Sequence, residues 1–212
     1  MLGLYIGIIL LLNIPYVQHR MSVLVAKELS TVLGSELTVG RINIGLLNRI
    51  IIDDLVLNDQ SGKELLKIGR LSAKFEILPL FSGKISIGNV QLFSFNANLE
   101  RPTPQASTNF QFVLDAFASK DTVKKKSNLD LRINSLLIRR GKVSYDVLSA
   151  ESTPGKFNPQ HIRLSNILAN ISLKALQNDS VNAAIKRMSV EEEHSGFELK
   201  KLSLKIIAND RK

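Results

Sequence analysis

The sequence predicts a mainly β chain with two helices at its start and one short helix inserted later. Three observations carry that expectation. Residues Met1 to Val17 form an uncharged apolar run. A short alternating apolar pattern, interrupted each time by two polar or glycine residues, recurs between Ile50 and Leu204. One helical stripe breaks it, at Phe110, Val113, Leu114 and Phe117. The chain has 212 residues, 44% of them apolar and 22% charged, which is the composition of a folded protein rather than a disordered one.

The apolar run reads as a membrane anchor over residues 1–17, carried by Leu2, Leu4, Tyr5, Ile6, Ile8, Ile9, Leu10, Leu11 and Leu12. A spanning helix needs about 20 apolar residues, with ~17 as the lower limit. A secretory signal would carry basic residues before the run and a small-x-small cleavage site after it, and neither is present. A buried core helix is the other alternative. Pro15 predicts a kink at the exit, and Tyr5 and Tyr16 bracket the run as interfacial aromatics do.

The second element is an amphipathic helix over residues 18–34. Met21, Leu24, Val25, Leu29, Val32 and Leu33 recur at spacings of three and four, and Gly34 supplies a stop. The stripe suits a helix that caps the edge of a domain. A membrane-surface helix is the second reading.

Residues 35–212 are strand-like. The interrupted pattern places Ile50, Ile52, Leu55 and Leu57 around Asp53-Asp54, and Leu66, Ile68, Leu71 and Ala73 around Gly69-Arg70. It places Ile85, Ile87, Val90 and Leu92 around Gly88-Asn89, and Leu131, Ile133, Leu136 and Ile138 around Asn134-Ser135. Further copies centre on Ser165-Asn166, Lys186-Arg187 and Lys200-Lys201. Chance alone gives roughly two or three such windows at this composition. Alternation means extended strand, and an inserted pair shifts the apolar face by one residue. Each copy therefore predicts a strand with a bulge or bend, crossing a curved sheet. The helical stripe from Phe110 follows Ser107-Thr108-Asn109, an N-cap signal, and suits a short helix that plugs one end of the sheet.

Chemistry is scarce. With no cysteine there is no disulfide, thiolate zinc site or iron–sulfur cluster. His19, His161 and His194 lie far apart and outside any metal-binding spacing. Asp53-Asp54 suits an exposed corner, and Glu191-Glu192-Glu193 a solvated turn. No phosphate-loop, dinucleotide or nucleophile-elbow motif occurs. No catalytic residue, metal ligand or cofactor is expected. The net charge of +9 is concentrated between Lys120 and Lys142, which holds Lys124, Lys125, Lys126, Arg132, Arg139 and Arg140. No aromatic lies between Phe117 and Tyr145 to stack on bases, so nucleic acid is not expected as a partner. The cluster fits a solvated loop, or a patch for lipid headgroups or a protein.

Several stretches together carry a family resemblance. They are the apolar anchor, Ile-Pro-x-Val-Gln at 14–18, Val-Leu-Gly at 32–34 and Leu-Thr-Val-Gly-Arg-Ile-Asn-Ile at 37–44. Asn109 to Phe117, Gly141 to Tyr145 and Pro154 to Asn158 extend the likeness along the chain. In this order they resemble the N-terminal region of AsmA-like TamB proteins, the inner-membrane components of the translocation and assembly module. The resemblance implies a single-pass inner-membrane protein with its bulk in the periplasm, no enzyme, and the membrane-proximal part of a longer chain. It implies a β-taco, an antiparallel-rich sheet curled into an apolar groove that carries phospholipid between the inner and outer membranes. An outer-membrane barrel partner would be reached through the C-terminal part. The alternative role is a scaffold for outer-membrane protein insertion or secretion. On this reading the lipid-groove lining falls to Ile85, Ile87, Val90, Leu92, Leu131, Ile133, Leu136 and Ile138, and the end cap to Phe110, Val113, Leu114 and Phe117. The same aliphatic residues would also line an ordinary sandwich core.

Overall fold

A computed structural model describes residues 2–45, 48–76, 85–118, 129–130, 134–177 and 180–209. The fold is mainly β. Helices α1 (Leu2–Leu12) and α2 (Pro15–Leu33) precede strands β1 (Leu37–Gly45), β2 (Arg49–Asn58), β3 (Glu64–Glu76) and β4 (Ile85–Arg101). Helix α3 (Gln111–Ala118) follows, then β5 (Leu129–Asp130), β6 (Ser135–Val147), β7 (His161–Gln177), β8 (Ser180–Glu192) and β9 (Glu198–Asn209).

The strands form one open mixed sheet in the order β1-β2-β3-β4-β6-β7-β8-β9, with short β5 beside β4. Neighbours are antiparallel except at the centre, where β6 and β5 run parallel to β4. A parallel pair cannot close with a tight hairpin and needs a crossover of a dozen or more residues. The segment between β4 and β6 supplies it and carries α3.

The anchor expected over 1–17 requires correction. It is not one helix. Helix α1 is only 11 residues long, about 16 Å at the α-helical rise. That is about half of a ~30 Å hydrocarbon core. No helix among the described residues is long and apolar enough to cross a membrane. The break falls at Asn13-Ile14. Asn13 Nδ2 donates to Ile9 O and to Ile44 O of β1, both at 2.8 Å. Pro15 then opens α2 rather than kinking the end of α1, since a proline at the first helical turn loses no hydrogen bond. The amphipathic helix thus starts at Pro15, three residues before the expected boundary. It ends at Gly34, whose φ of 64° is the left-handed cap conformation.

Helix α2 lies along the outer edge of β1. Ser30 Oγ accepts from Leu37 N–H at 2.9 Å and donates to Leu37 O at 3.3 Å. Gln18 Nε2 donates to Asn43 Oδ1 at 2.6 Å. Edge groups that would otherwise be open to another strand are satisfied within the chain. A compact core gathers where α2, α3 and the β1–β3 strands meet, around Leu33, Leu37, Leu57, Leu65 and Val113.

A crease crosses the strands. Asp54, Ser94, Arg140 and Asn166 hold φ of 51–56°, a left-handed conformation uncommon for residues other than glycine. On the strands beside Asp54, the residues at the same level are Gly40 and Gly69. A Cβ at Gly40 would lie 3.0 Å from Asp54 Cβ, and one at Gly69 would lie 3.3 Å from Ser94 Cβ. From β1 to β7 the long strands therefore turn their phase either through a left-handed residue or at a glycine beside one, whereas β8 and β9 shift register between Ile185 and Val190.

Gly141 is the tightest point of that line. A Cβ there would overlap the Phe95 ring and stand 3.1 Å from Ile167 Cβ. Gly141→Ala is expected to cost about 1–3 kcal/mol in urea unfolding, the usual range for overpacking. Adding Phe95→Leu to it should recover part of the loss. Equal stability of Gly141→Ala and the parent would contradict this packing.

Candidate functional site

The crease explains the interrupted pattern at Asp53-Asp54, Gly69-Arg70 and Ser165-Asn166, whereas the copy at Gly88-Asn89 meets a separate register shift opposite Lys74 and Phe75, and β6 begins only at Ser135. In strict alternation, residues three apart face opposite sides of a sheet. Ile52 and Leu55 are three apart, as are Ile68 and Leu71, Leu92 and Phe95, and Ile138 and Gly141. The phase shift at the crease returns both members of each pair to one face.

Register then aligns those residues into rows perpendicular to the strands. One row runs Ile44, Ile50, Ala73, Val90, Leu136, Ile171, Ile185 and Leu204, each paired with the next across adjacent strands. The next row runs Ile42, Ile52, Leu71, Leu92, Ile138, Ala169, Met188 and Leu202. Both cross all eight strands of the path without a polar interruption. At the usual strand spacing they are about 34 Å long. Beyond the crease a third row contains Leu37, Leu57, Leu66, Ala97, Val143 and Leu164. Its next member is Glu192.

The rows differ in cover. Leu37, Leu57 and Leu66 pack with Phe110, Val113 and Ala116 of the α3 region. Most of the first two rows is only half-buried, including Ile50, Ile52, Leu71, Val90, Leu92, Leu136 and Ile138. Together they form a continuous aliphatic face, partly accessible to solvent, across the open sheet.

Of the sequence-expected lining, Val90 pairs directly with Leu136, and Leu92 with Ile138, across the parallel junction. The backbone of Ile87 pairs with Phe75 and that of Ile85 with Leu129, at a register shift next to Gly88. Leu131 and Ile133 lie outside the described residues, as do Lys120, Lys124, Lys125, Lys126 and Arg132 of the basic cluster. Phe110, just before α3, is partly buried, and within α3 Val113 is buried and Leu114 is 51% exposed. The side chain of Phe117 lies outside the described set. The anchor residues Leu10 and Leu11 are 66% and 57% exposed on α1, and Ile9 and Leu12 are half-buried.

Sequence reading missed some copies of the motif. Leu37, Val39, Ile42 and Ile44 flank Gly40-Arg41 with the same spacing. Val90, Leu92, Phe95 and Ala97 flank Phe93-Ser94. The spacing itself was the available signal.

The outer side of the crease is polar. Asp54, Ser94, Arg140 and Asn166 are exposed there. Arg70 Nε donates to Asp53 Oδ1 at 2.6 Å, and Asn166 Nδ2 to Glu191 Oε2 at 2.6 Å. Asp53 is thus paired across strands, and Asp54 is the exposed corner residue.

A cavity of about 530 Å³ lies between the β2–β3 turn and the start of α3, lined by Asp59, Glu100, Asn109, Gln111 and Asp115 among others. Its buried carboxylate is committed to the turn. Asp59 Oδ1 accepts from Ser61 N–H at 2.8 Å, Ser61 Oγ at 2.6 Å and Lys63 N–H at 3.0 Å. Burial pushes the Asp59 carboxyl up, and these bonds outweigh it and hold the group below its ordinary value.

Glu192 corrects the expectation of a solvated turn. Its side chain is 2% exposed. Ser195 donates to Oε2 from N–H at 2.7 Å and from Oγ at 2.5 Å. Burial raises this carboxyl, and the bonds from Ser195, Arg163 and His194 outweigh it and bring it down to about 2. A short distance away His161 Nδ1 lies 2.9 Å from Asp146 Oδ1, and Nε2 lies 3.0 Å from Ala150 O. Both partners are acceptors, so both bonds form only with imidazolium. The Asp146 bond, then the Ala150 bond, raise the His161 pKa above its ordinary value. The Asp146–His161 pair ends on a backbone carbonyl, not on a nucleophile. Among the described residues no group of three His, Cys, Asp or Glu could hold a metal ion.

No known family model matches this sequence, and no curated protein matches it significantly.

Two opposite pH limbs follow from these groups. The Glu192 contribution is present above the unfolded carboxyl value near 4.5 and is lost as pH falls toward about 2. The His161 contribution is present below 6.5 and is lost as pH rises through its raised folded value. Urea midpoints measured against pH should show a shallower acid limb in Glu192→Gln. His161→Gln should remove the decline on the alkaline side of 6.5. Unchanged limbs in both variants would refute these assignments.

Proposed function

We propose that this chain is a membrane-attached, periplasm-facing segment that conducts phospholipid along an apolar trough. The two unbroken aliphatic rows across eight strands carry this reading. An acyl chain needs a continuous apolar wall with no specific polar partner, and each buried CH₂ contributes about 0.8 kcal/mol. A trough open along its side lets the headgroup stay in water while the tail follows the rows. The family resemblance and the apolar α1 support the same assignment to an inner-membrane site. In this reading the chain is a lipid bridge segment, the function lies in binding and guidance, and no residue is assigned to catalysis.

One observation favours a second role, as a scaffold for outer-membrane protein assembly. Strand β9 closes the path with Leu204, Ile206 and Ile207 exposed. An open edge of that kind can take an added strand from a client polypeptide.

The two roles separate by crosslinking. A photoreactive residue at Leu92 or Ile138 is expected to trap phospholipid in cells, and Leu92→Glu should lower lipid capture at Ile138 about tenfold through loss of roughly two buried methylenes. Capture of polypeptide alone would favour the scaffold. No adduct at any row position would overturn the trough.

A further inference from the structure

Helix α2 carries a face that the fold does not use. Ser22, Ala26, Leu29 and Leu33 turn toward β1 and the core. The opposite face carries Tyr16, Arg20, Val23, Leu24 and Lys27, all exposed, with Tyr16 at 66% and Leu24 at 64%. Arg20 sits over the Tyr16 ring at 5.5 Å and donates from Nε to its hydroxyl at 3.2 Å. The single acid of the helix, Glu28, lies to one side of this face.

We propose that this outer face of α2 rests on an anionic phospholipid surface. The proposal builds on the membrane attachment read above and names its partner and geometry. Tyr16, Val23 and Leu24 occupy the interfacial zone, where aromatic and aliphatic side chains leave water. Arg20 and Lys27 extend their stems along the helix and place their charges among lipid phosphates. Charge selects this occupant over a second copy of the chain, because facing copies would set Arg20 and Lys27 against each other.

The geometry follows from the edge bonds. Ser30 and Asn13 bond the outward backbone groups of Leu37 and Ile44, so α2 stands beyond the sheet edge. With the free face of α2 on the bilayer, β1 is the strand beside it, and the apolar rows start on that strand at Ile42 and Ile44.

The chain has no cysteine, so single labels report one position. Environment-sensitive probes on Leu10→Cys, Leu24→Cys and Lys67→Cys would be compared on phosphatidylcholine vesicles with and without phosphatidylglycerol. The Leu24 probe should shift to the blue with the anionic lipid and be quenched by lipid-borne quenchers, while the Lys67 probe on β3 should remain aqueous. Arg20→Gln with Lys27→Gln should weaken this response about 30-fold and remove its salt dependence. A Leu24 probe that stays in water while the Leu10 probe enters lipid would overturn the proposal and leave membrane attachment intact. If neither enters lipid, membrane attachment itself fails. Polypeptide crosslinks at Leu24 in native membranes, without lipid contact, would assign the face to a protein instead. Lipid capture at Ile138 tests the trough independently of all three.

Discussion

The structure depends on a phase constraint. A broad aliphatic face needs each strand to keep its apolar side chains on one side through the crease. Strict alternation fails at a bend of this kind, because the strand must turn without rotating its second half out of the core. The left-handed residues at Asp54, Ser94, Arg140 and Asn166 supply the missing half-turn of phase. Gly40 and Gly69 leave room for it on the neighbouring strands. A left-handed conformation costs about 1–2 kcal/mol in a non-glycine residue. That cost recurs along the crease and is offset by the rows it aligns.

The buried core and the aliphatic rows are largely separate in this arrangement. The fully buried cluster lies at one end, where Leu33, Leu37, Leu57, Leu65 and Val113 meet. The rows beyond it are mostly half-buried and owe their positions to ladder hydrogen bonds between neighbouring strands. A surface held by backbone pairing can remain apolar and accessible without collapsing on itself. The two edges are managed differently. Side chains of α2 and of the break before it satisfy β1, whereas β9 carries Lys200, Lys201 and Lys205, charges that discourage indiscriminate strand addition.

Much of this was legible in the sequence, and for identifiable reasons. The apolar spacing marked the phase shift at Asp53-Asp54, Gly69-Arg70 and Ser165-Asn166, because a polar pair at an aliphatic break has few other meanings. Ser94 and Arg140 were silent, since neither residue type favours a left-handed backbone. The helix break at Asn13 was hidden from hydropathy, because its cause is a bond to Ile44, 31 residues away. Glu192 looked like surface among three glutamates, and only the turn through Ser195 shows why one of them is buried. The pairing of Val90 with Leu136 was not legible either. Spacing within a strand carries no information on which strand lies beside it.

That pairing also accounts for the position of α3. Strand β4 ends at Arg101 on the same end of the sheet as the β2–β3 turn, because it is antiparallel to β3. Strand β6 is parallel to β4 and must begin at the opposite end. The chain therefore has to return along the sheet before it can continue. The return begins over Leu57 and Leu66, where α3 sets Val113 into the core. An all-antiparallel sheet would have joined these strands by a hairpin and left that end uncovered. A single parallel junction thus supplies the plug, while direct pairing across it keeps both rows continuous. The packing of α3 on that end and the unbroken aliphatic rows are consequences of the same topological choice.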